Sequence, residues 1–156
     1  MLALLGGSRH ARTRKRSEIH VLMLGDPGLG KSELLQSVNM VAPRSVFVSA
    51  TGSSVAGLTA TIVQDVQSGE WGVEAGALVI GDGGVCCLDE LDKTNDHKCM
   101  LEAMEQQTIN IAKAGVVCSL PARTAIIAAA NPVNGHFNIR KGGLAENVRL
   151  DPALLS

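Results

Sequence analysis

Four apolar runs of strand length punctuate the chain, at residues 19–24, 46–49, 85–88 and 124–129. Each is rich in Val, Ile, Leu or Ala and too continuous for a strand with one wet face, so all four are expected to be buried parallel strands. Between the first two, residues 31–41 place Leu34, Leu35, Val38 and Val41 at helical spacing, and Pro43 closes the segment. Strand, glycine-rich turn, helix and strand make a βαβ unit, and the alternation predicts an α/β fold. A second helix is expected from Thr94 to about Glu105, with Met100, Leu101 and Met104 on one side. Two stretches break the simple repeat: residues 58–65 with 70–73, and residues 108–111 with 116–120. Both have the pattern of hairpins. In the second, Ile109 and Ile111 flank Asn110, and Gly115 lies in a connection short enough for a tight turn, which places Lys113 near its tip. Near the end, Asp151 followed by Pro152 is the signature of an N-cap and a first-turn proline, opening a helix through Leu155. A chain that stops at Ser156, one turn into that helix, is expected to be a fragment.

Composition narrows the class. The 156 residues are 46% hydrophobic and 19% charged, with Phe47, Trp71 and Phe137 the only aromatics, which suits one globular domain and excludes a disordered chain. No apolar run approaches the roughly 18 residues of a membrane-spanning helix. Residues 1–5 are apolar but precede a basic run, the reverse of signal-peptide order, so an intracellular chain is expected. A net charge of −1 gives no global attraction to nucleic acid. Cys86, Cys87, Cys99 and Cys118 form no CxxC pair, and reduced, buried thiols are expected, with Cys86 and Cys87 on opposite faces of a strand. His10, His20, His97 and His136 share no ligand spacing, so no metal site is assigned to them, and Trp71 has no aromatic neighbour with which to stack bases.

The chemistry is concentrated in three places. Gly25, Asp26, Pro27, Gly28, Leu29, Gly30, Lys31 and Ser32 fit G-x-x-x-x-G-K-[ST] between a strand and a helix, the context a phosphate loop requires. Its glycines let successive N–H groups face phosphate oxygens at a helix N-terminus. Lys31 would neutralise β and γ oxygens, and the Ser32 hydroxyl would ligate Mg²⁺. Asp89 and Glu90 close the third run, at the end of a strand where ligands of open α/β sheets collect. Asp89 would share the Mg²⁺ shell and Glu90 would polarise the attacking water. Asn131 follows the fourth run and would orient that water against the γ-phosphate, unless it is only the start of an Asn-Pro turn. Lys113 could touch a phosphodiester backbone or simply be solvated. Arg9, Arg12, Arg14, Lys15 and Arg16 form a denser cluster, readable as a nucleic-acid patch, a nuclear import signal or, most simply, a solvated loop.

Taken together these residues resemble the minichromosome maintenance (MCM) family of hexameric AAA+ DNA helicases. The resemblance rests on GDPGLGKS at 25–32, GLT at 57–59, EAGALV at 74–79, LDELDK at 88–93, EAMEQQ at 102–107, AKAG at 112–115 and AAANP at 128–132, in the family's order. Residues 101–138 are most similar to the branch of the eighth paralogue, associated with homologous recombination and repair. The family implies a P-loop AAA+ fold of three layers with a parallel sheet and two β-hairpin inserts, truncated here at the C-terminus. Residues 1–18 become its N-terminal edge and basic loop, and residues 19–156 an incomplete ATPase core.

The same resemblance makes Lys31 and Ser32 the Walker A residues, Asp89 and Glu90 the Walker B pair, and Asn131 the γ-phosphate sensor. Residues 57–76 become the helix-two insert and residues 109–120 the pre-sensor hairpin, whose Lys113 becomes a DNA contact. The implied protein is nuclear and uses ATP and Mg²⁺, with single-stranded or forked DNA and other MCM subunits of a ring as its partners. Its implied work is DNA unwinding in recombination and repair. A replication-licensing subunit, or a non-catalytic module whose bound ATP only stabilises a ring, is the alternative. Three departures stand out: Leu91 in place of the family's Phe, Glu33 in place of Gln, and a stretch from Thr94 to Met100 shorter by one or two residues. An arginine that acts on a neighbour's nucleotide, and a lid, would follow Ser156 in the family. Without them the isolated piece is expected to hydrolyse ATP poorly.

Overall fold

The structure is a computed structural model and describes residues 2–7, 16–67, 69–94, 97–133, 135–138 and 144–154. Its centre is a four-stranded parallel sheet of β1 (Val21–Leu24), β2 (Ser45–Ser49), β5 (Val85–Asp89) and β8 (Ala125–Ala130), in the order β1-β8-β5-β2. The last of these strands in sequence inserts between the first and third, with Leu24 opposite Ala130 and Leu88 opposite Ala128. β8 is buried throughout and β5 is buried up to Asp89. β1 and β2 are half-exposed edges, so the expectation of four buried strands holds for two. A run of apolar residues records burial against the faces of a sheet and carries no information on whether a further strand covers the edge.

Each central strand sends alternate side chains into two separate cores, as period-two geometry demands. Cys86, Leu88, Ile126, Ala128 and Ala130 enter one core, and Val85, Cys87, Ala125, Ile127 and Ala129 the other. Cys86 and Cys87 therefore do lie on opposite faces. Helix α2 (Lys31–Val41) covers the second core through Leu35 and Val38. Leu34 and Val41, read from spacing as part of its buried face, are exposed. On the opposite face α5 (His97–Gln106) packs Met100 and Ala103 into the first core. Thr94, expected to open it, is instead the C-cap of the 3-10 turn Leu91–Lys93. Helix, sheet and helix give the three layers.

A short helix α1 (Leu2–Leu5) sets Ala3 and Leu4 against the α2 side of the sheet. The basic residues 9, 12, 14 and 15 lie outside the described residues, while the Arg16 guanidinium donates to the Met104 carbonyl at 2.7 Å. Both inserts are hairpins. After a single helical turn, α3 (Val55–Leu58), β3 (Ala60–Gln64) pairs with β4 (Trp71–Ala75), and α4 (Ala77–Ile80) returns the chain to the sheet. β6 (Thr108–Lys113) pairs with β7 (Val116–Pro121), Lys113 standing opposite Val116. The two intervening residues, Ala114 and Gly115, have φ of 51° and 78°, the double left-handed turn that matches strand twist and that glycine accepts without strain. Past α6 (Leu144–Asn147), Asp151 Oδ1 accepts the Ala153 amide at 3.0 Å, as an N-cap should, but the element it opens is the 3-10 turn Pro152–Leu154. Among the described residues no helix is long and apolar enough to cross a membrane.

Candidate functional site

Sheet order creates the site. Because β8 lies between β1 and β5, the loop after Leu24, the residue after Ala130 and the acidic end of β5 emerge side by side at one end of the sheet. There they line a cavity of about 350 Å³, whose wall includes Gly28, Lys31, Ser32, Asp89, Glu90 and Asn131. A cavity of about 420 Å³ opens at the opposite end, near Gly84 and Arg123, but none of the phosphate-loop or acidic residues reaches it. Chemistry, not size, selects between them.

The loop is built as its glycines require. Gly28 and Gly30 have φ of 82° and 74°, and a Cβ at either position would meet nothing within 4 Å. Backbone conformation is what demands glycine at both. Gly30 is the N-cap of α2 and contributes no side-chain cap, so the first turn of the helix is presented without a competing acceptor of its own. The Lys31 ammonium donates to the carbonyls of Gly25 and Asp26, both at 2.7 Å, folding back over the loop it belongs to. Pro27, Gly28, Gly30, Lys31 and Ser32 line the cavity, whereas Gly25, Asp26 and Leu29 do not. Glu33, the acidic departure, lines it as well.

Across the cavity Asp89 ends β5, its Oδ1 accepting the Glu90 amide at 2.9 Å. Glu90 adopts a left-handed backbone, φ 56° and ψ 40°, a conformation uncommon for a residue with a side chain and concentrated at functional sites. Lys93 and Thr51 both donate to its carboxylate. These two hydrogen bonds, Lys93 first, hold Glu90 below the ordinary glutamate range, so it is ionised at neutral pH. Leu91 is buried, which fits an aliphatic replacement at an apolar position. Asn131 is fixed through its backbone: its N–H donates to Asp92 Oδ1 at 2.8 Å.

Sequence reasoning anticipated none of Thr51, Asp92, Lys93, His136 or Phe137 as parts of this site. Lys93 lies three residues from Glu90 and its pairing was legible as a local contact; Asp92 is its neighbour, but the Asn131 amide it holds is 39 residues away, and Thr51, His136 and Phe137 arrive from distant segments. His136 Nδ1 lies 3.0 Å from Asp26 Oδ2, and the Phe137 amide donates to Asp26 Oδ1 at 2.8 Å. The His136 bond first, and then that from Phe137, lower the Asp26 carboxyl below its usual range. Lys113 stands apart from the cavity, exposed at the end of β6.

Comparison with known proteins agrees with the motifs. Residues 1–156 match the family model described as the MCM P-loop domain. The chain is 55% identical over 161 aligned residues to DNA helicase MCM8 of Homo sapiens, covering 99% of this chain and 19% of that protein. The same identity and 99% coverage relate it to DNA helicase MCM8 of Bos taurus, of which it covers 20%. It is 50% identical to the probable DNA helicase MCM8 of Arabidopsis thaliana, again over 99% of this chain and 20% of that protein. The chain thus spans about a fifth of the length of the curated relatives it matches. With its α/β architecture, two hairpin inserts and phosphate loop in place, the chain belongs to the MCM family as a P-loop domain.

Proposed function

We propose that this domain binds and hydrolyses ATP as part of a DNA helicase acting in homologous recombination and repair. The observation that carries the reading is the meeting of the phosphate loop, Asp89, Glu90 and Asn131 on one cavity wall. The backbone amides of residues 25–32 and the Lys31 ammonium would bind the polyphosphate, once Lys31 exchanges its loop carbonyls for phosphate oxygens. Ser32 and Asp89 line the same cavity, and a hydroxyl and a carboxylate are hard oxygen donors of the kind Mg²⁺ prefers. Bound there, Mg²⁺ would supply charge neutralisation at the phosphates. Ionised Glu90 can accept a proton from an attacking water, and the Asn131 amide can orient that water. The relatives are DNA helicases, and from them DNA is taken as the track. Lys113, exposed at its hairpin tip, would touch the phosphodiester backbone of single-stranded or forked DNA, a contact that positions without reading sequence. The assembly would be a ring with other MCM subunits, in the nucleus.

Lys31→Ala in the protein should abolish ATP turnover and the stimulation of that turnover by single-stranded DNA. Turnover at the wild-type rate in this variant would overturn the site; ATP binding without any DNA stimulation in the wild type would reduce the domain to an assembly module.

A further inference from the structure

Asp26 places a carboxylate inside an anion-binding loop, where its charge would repel a polyphosphate if it faced the cavity. It does not line the cavity. Both its oxygens are turned the other way, Oδ2 to the His136 imidazole and Oδ1 to the Phe137 amide, across 110 and 111 residues of sequence. The segment it meets is itself anchored. Gly135 donates to the Pro132 carbonyl at 3.0 Å, immediately after Asn131. Asn138 donates to the side chain of Asn147 at 2.9 Å and accepts from it at 3.3 Å, and the Asn147 carbonyl accepts the Val133 amide at 2.9 Å. Asn147 is 5% exposed, so this far anchor sits in the body of the domain. Residues 135–138 are therefore a strap whose flanks, Val133 and Asn138, are tied to buried Asn147 and whose middle, His136 and Phe137, is tied to Asp26, and it runs on from the residue proposed to sense the γ-phosphate.

We propose that Asp26 is a positioning residue: its carboxylate clasps the strap of residues 135–138, and the clasp holds the phosphate loop in the shape that receives a triphosphate. The inference rests on the nucleotide site proposed above and assigns the Asp26 side chain a task other than touching the ligand. It also gives His136 a role that histidine spacing along the sequence does not suggest. A loop carrying two positive-φ glycines has many shapes open to it. Fixing its second residue removes part of that freedom before the ligand arrives, so the ordering cost falls outside the binding step. Loss of the clasp is expected to weaken nucleotide binding more than the rate of the bound complex.

The test titrates the protein with a fluorescent nonhydrolysable ATP analogue in Mg²⁺ and measures steady-state ATP turnover alongside. His136→Leu removes the imidazole bond and should raise the analogue Kd and the KM by about 3- to 10-fold, the worth of one net hydrogen bond, with kcat changed less. His136→Asn puts a side-chain N–H close to where Nδ1 stands and should recover most of the loss. Asp26→Ala should be at least as weak as His136→Leu, and the double variant no weaker than Asp26→Ala alone. An analogue Kd within twofold of wild type in His136→Leu, while Lys31→Ala loses binding, overturns the clasp and leaves the nucleotide site standing. Failure of His136→Asn to recover, or effects of the two positions that simply multiply, also overturns it. Normal analogue binding by Lys31→Ala overturns the site, and the clasp with it. Should Asp26→Ala fail to fold, the two His136 variants decide the matter by themselves.

Discussion

The central strands β5 and β8 and the hairpin β6–β7 put similar apolar residues to opposite use. In β8 all six residues are buried, and Leu88 of β5 is 0% exposed between packed layers. In β7 burial alternates, and Val117 is 82% exposed. The hairpin keeps one face on the core through Ile109, 3% exposed, and gives the other to solvent. β3–β4 goes further: Trp71 and Val73 of β4 and Val63 of β3 are all exposed, and Val66 between the strands is 99% exposed. The difference separates stability from contact. The sheet's apolar residues hold the domain together and carry the site at their ends, while those at the hairpin tips add little to folding and are free for surfaces outside the domain.

The largest test of this contrast is a pair of truncations. Leu88→Ala should cost about 2–5 kcal/mol in denaturant unfolding, whereas Val117→Ala should stay within about 0.5 kcal/mol of wild type. Similar losses at the two positions would break the comparison.

A smaller effect distinguishes the sheet by pH. His20 Nδ1 accepts the Ile126 amide at 3.1 Å, joining the segment before β1 to β8. Burial first, then the nearby Arg16 charge, push the His20 imidazole below its usual 6.5. The folded state therefore holds it neutral. Its contribution is intact above about pH 6.5 and is lost as pH falls from there through the lower folded-state value, because the unfolded chain then binds the proton more readily. His20→Asn keeps an acceptor close to where Nδ1 stands, without the titration, and should flatten the fall in stability between pH 7 and 5; an unchanged pH profile would remove His20 as its source.

The finest distinction is chemical and leaves stability untouched. Burial raises the Cys86 thiol to about 12, and burial also raises Cys87, so neither offers thiolate near neutrality. Cys118 on the hairpin is only partly buried. Under native conditions at pH 8 a maleimide should modify Cys118 well before Cys86 or Cys87, as followed by peptide mass spectrometry. Equal rates would mean that the sheet opens as readily as the hairpin.

Legibility in the sequence follows the range of the interactions. Helix α2 begins and ends where its spacing and Pro43 place it, because capping, proline and periodicity act within a turn or two. The β6–β7 turn is equally local, fixed by Ala114 and Gly115. Errors arise where a neighbour decides. Leu34 has the spacing of a core residue and is exposed, because α2 meets the sheet along Leu35 and Val38. Thr94 has the place of a helix start and is instead the C-cap of the turn at Leu91–Lys93, which is held by Asp92 and Lys93 reaching to Asn131 and Glu90. The Asp26 clasp left no trace in the pattern, since its partners are more than a hundred residues away.

By itself the sequence determined the phosphate loop, the four strands with the α2 crossover, the acidic pair and the hairpin tip, since each is written in residues close enough to dictate one another's backbone. The tertiary structure alone decided that β8 enters between β1 and β5, which strands became edges, and that Asn131 stands beside the loop and the acids. Strand order depends on which faces bury the most surface together, here with Ala128, Ala129 and Ala130 packed between two cores, and that sum runs over residues far apart in the chain.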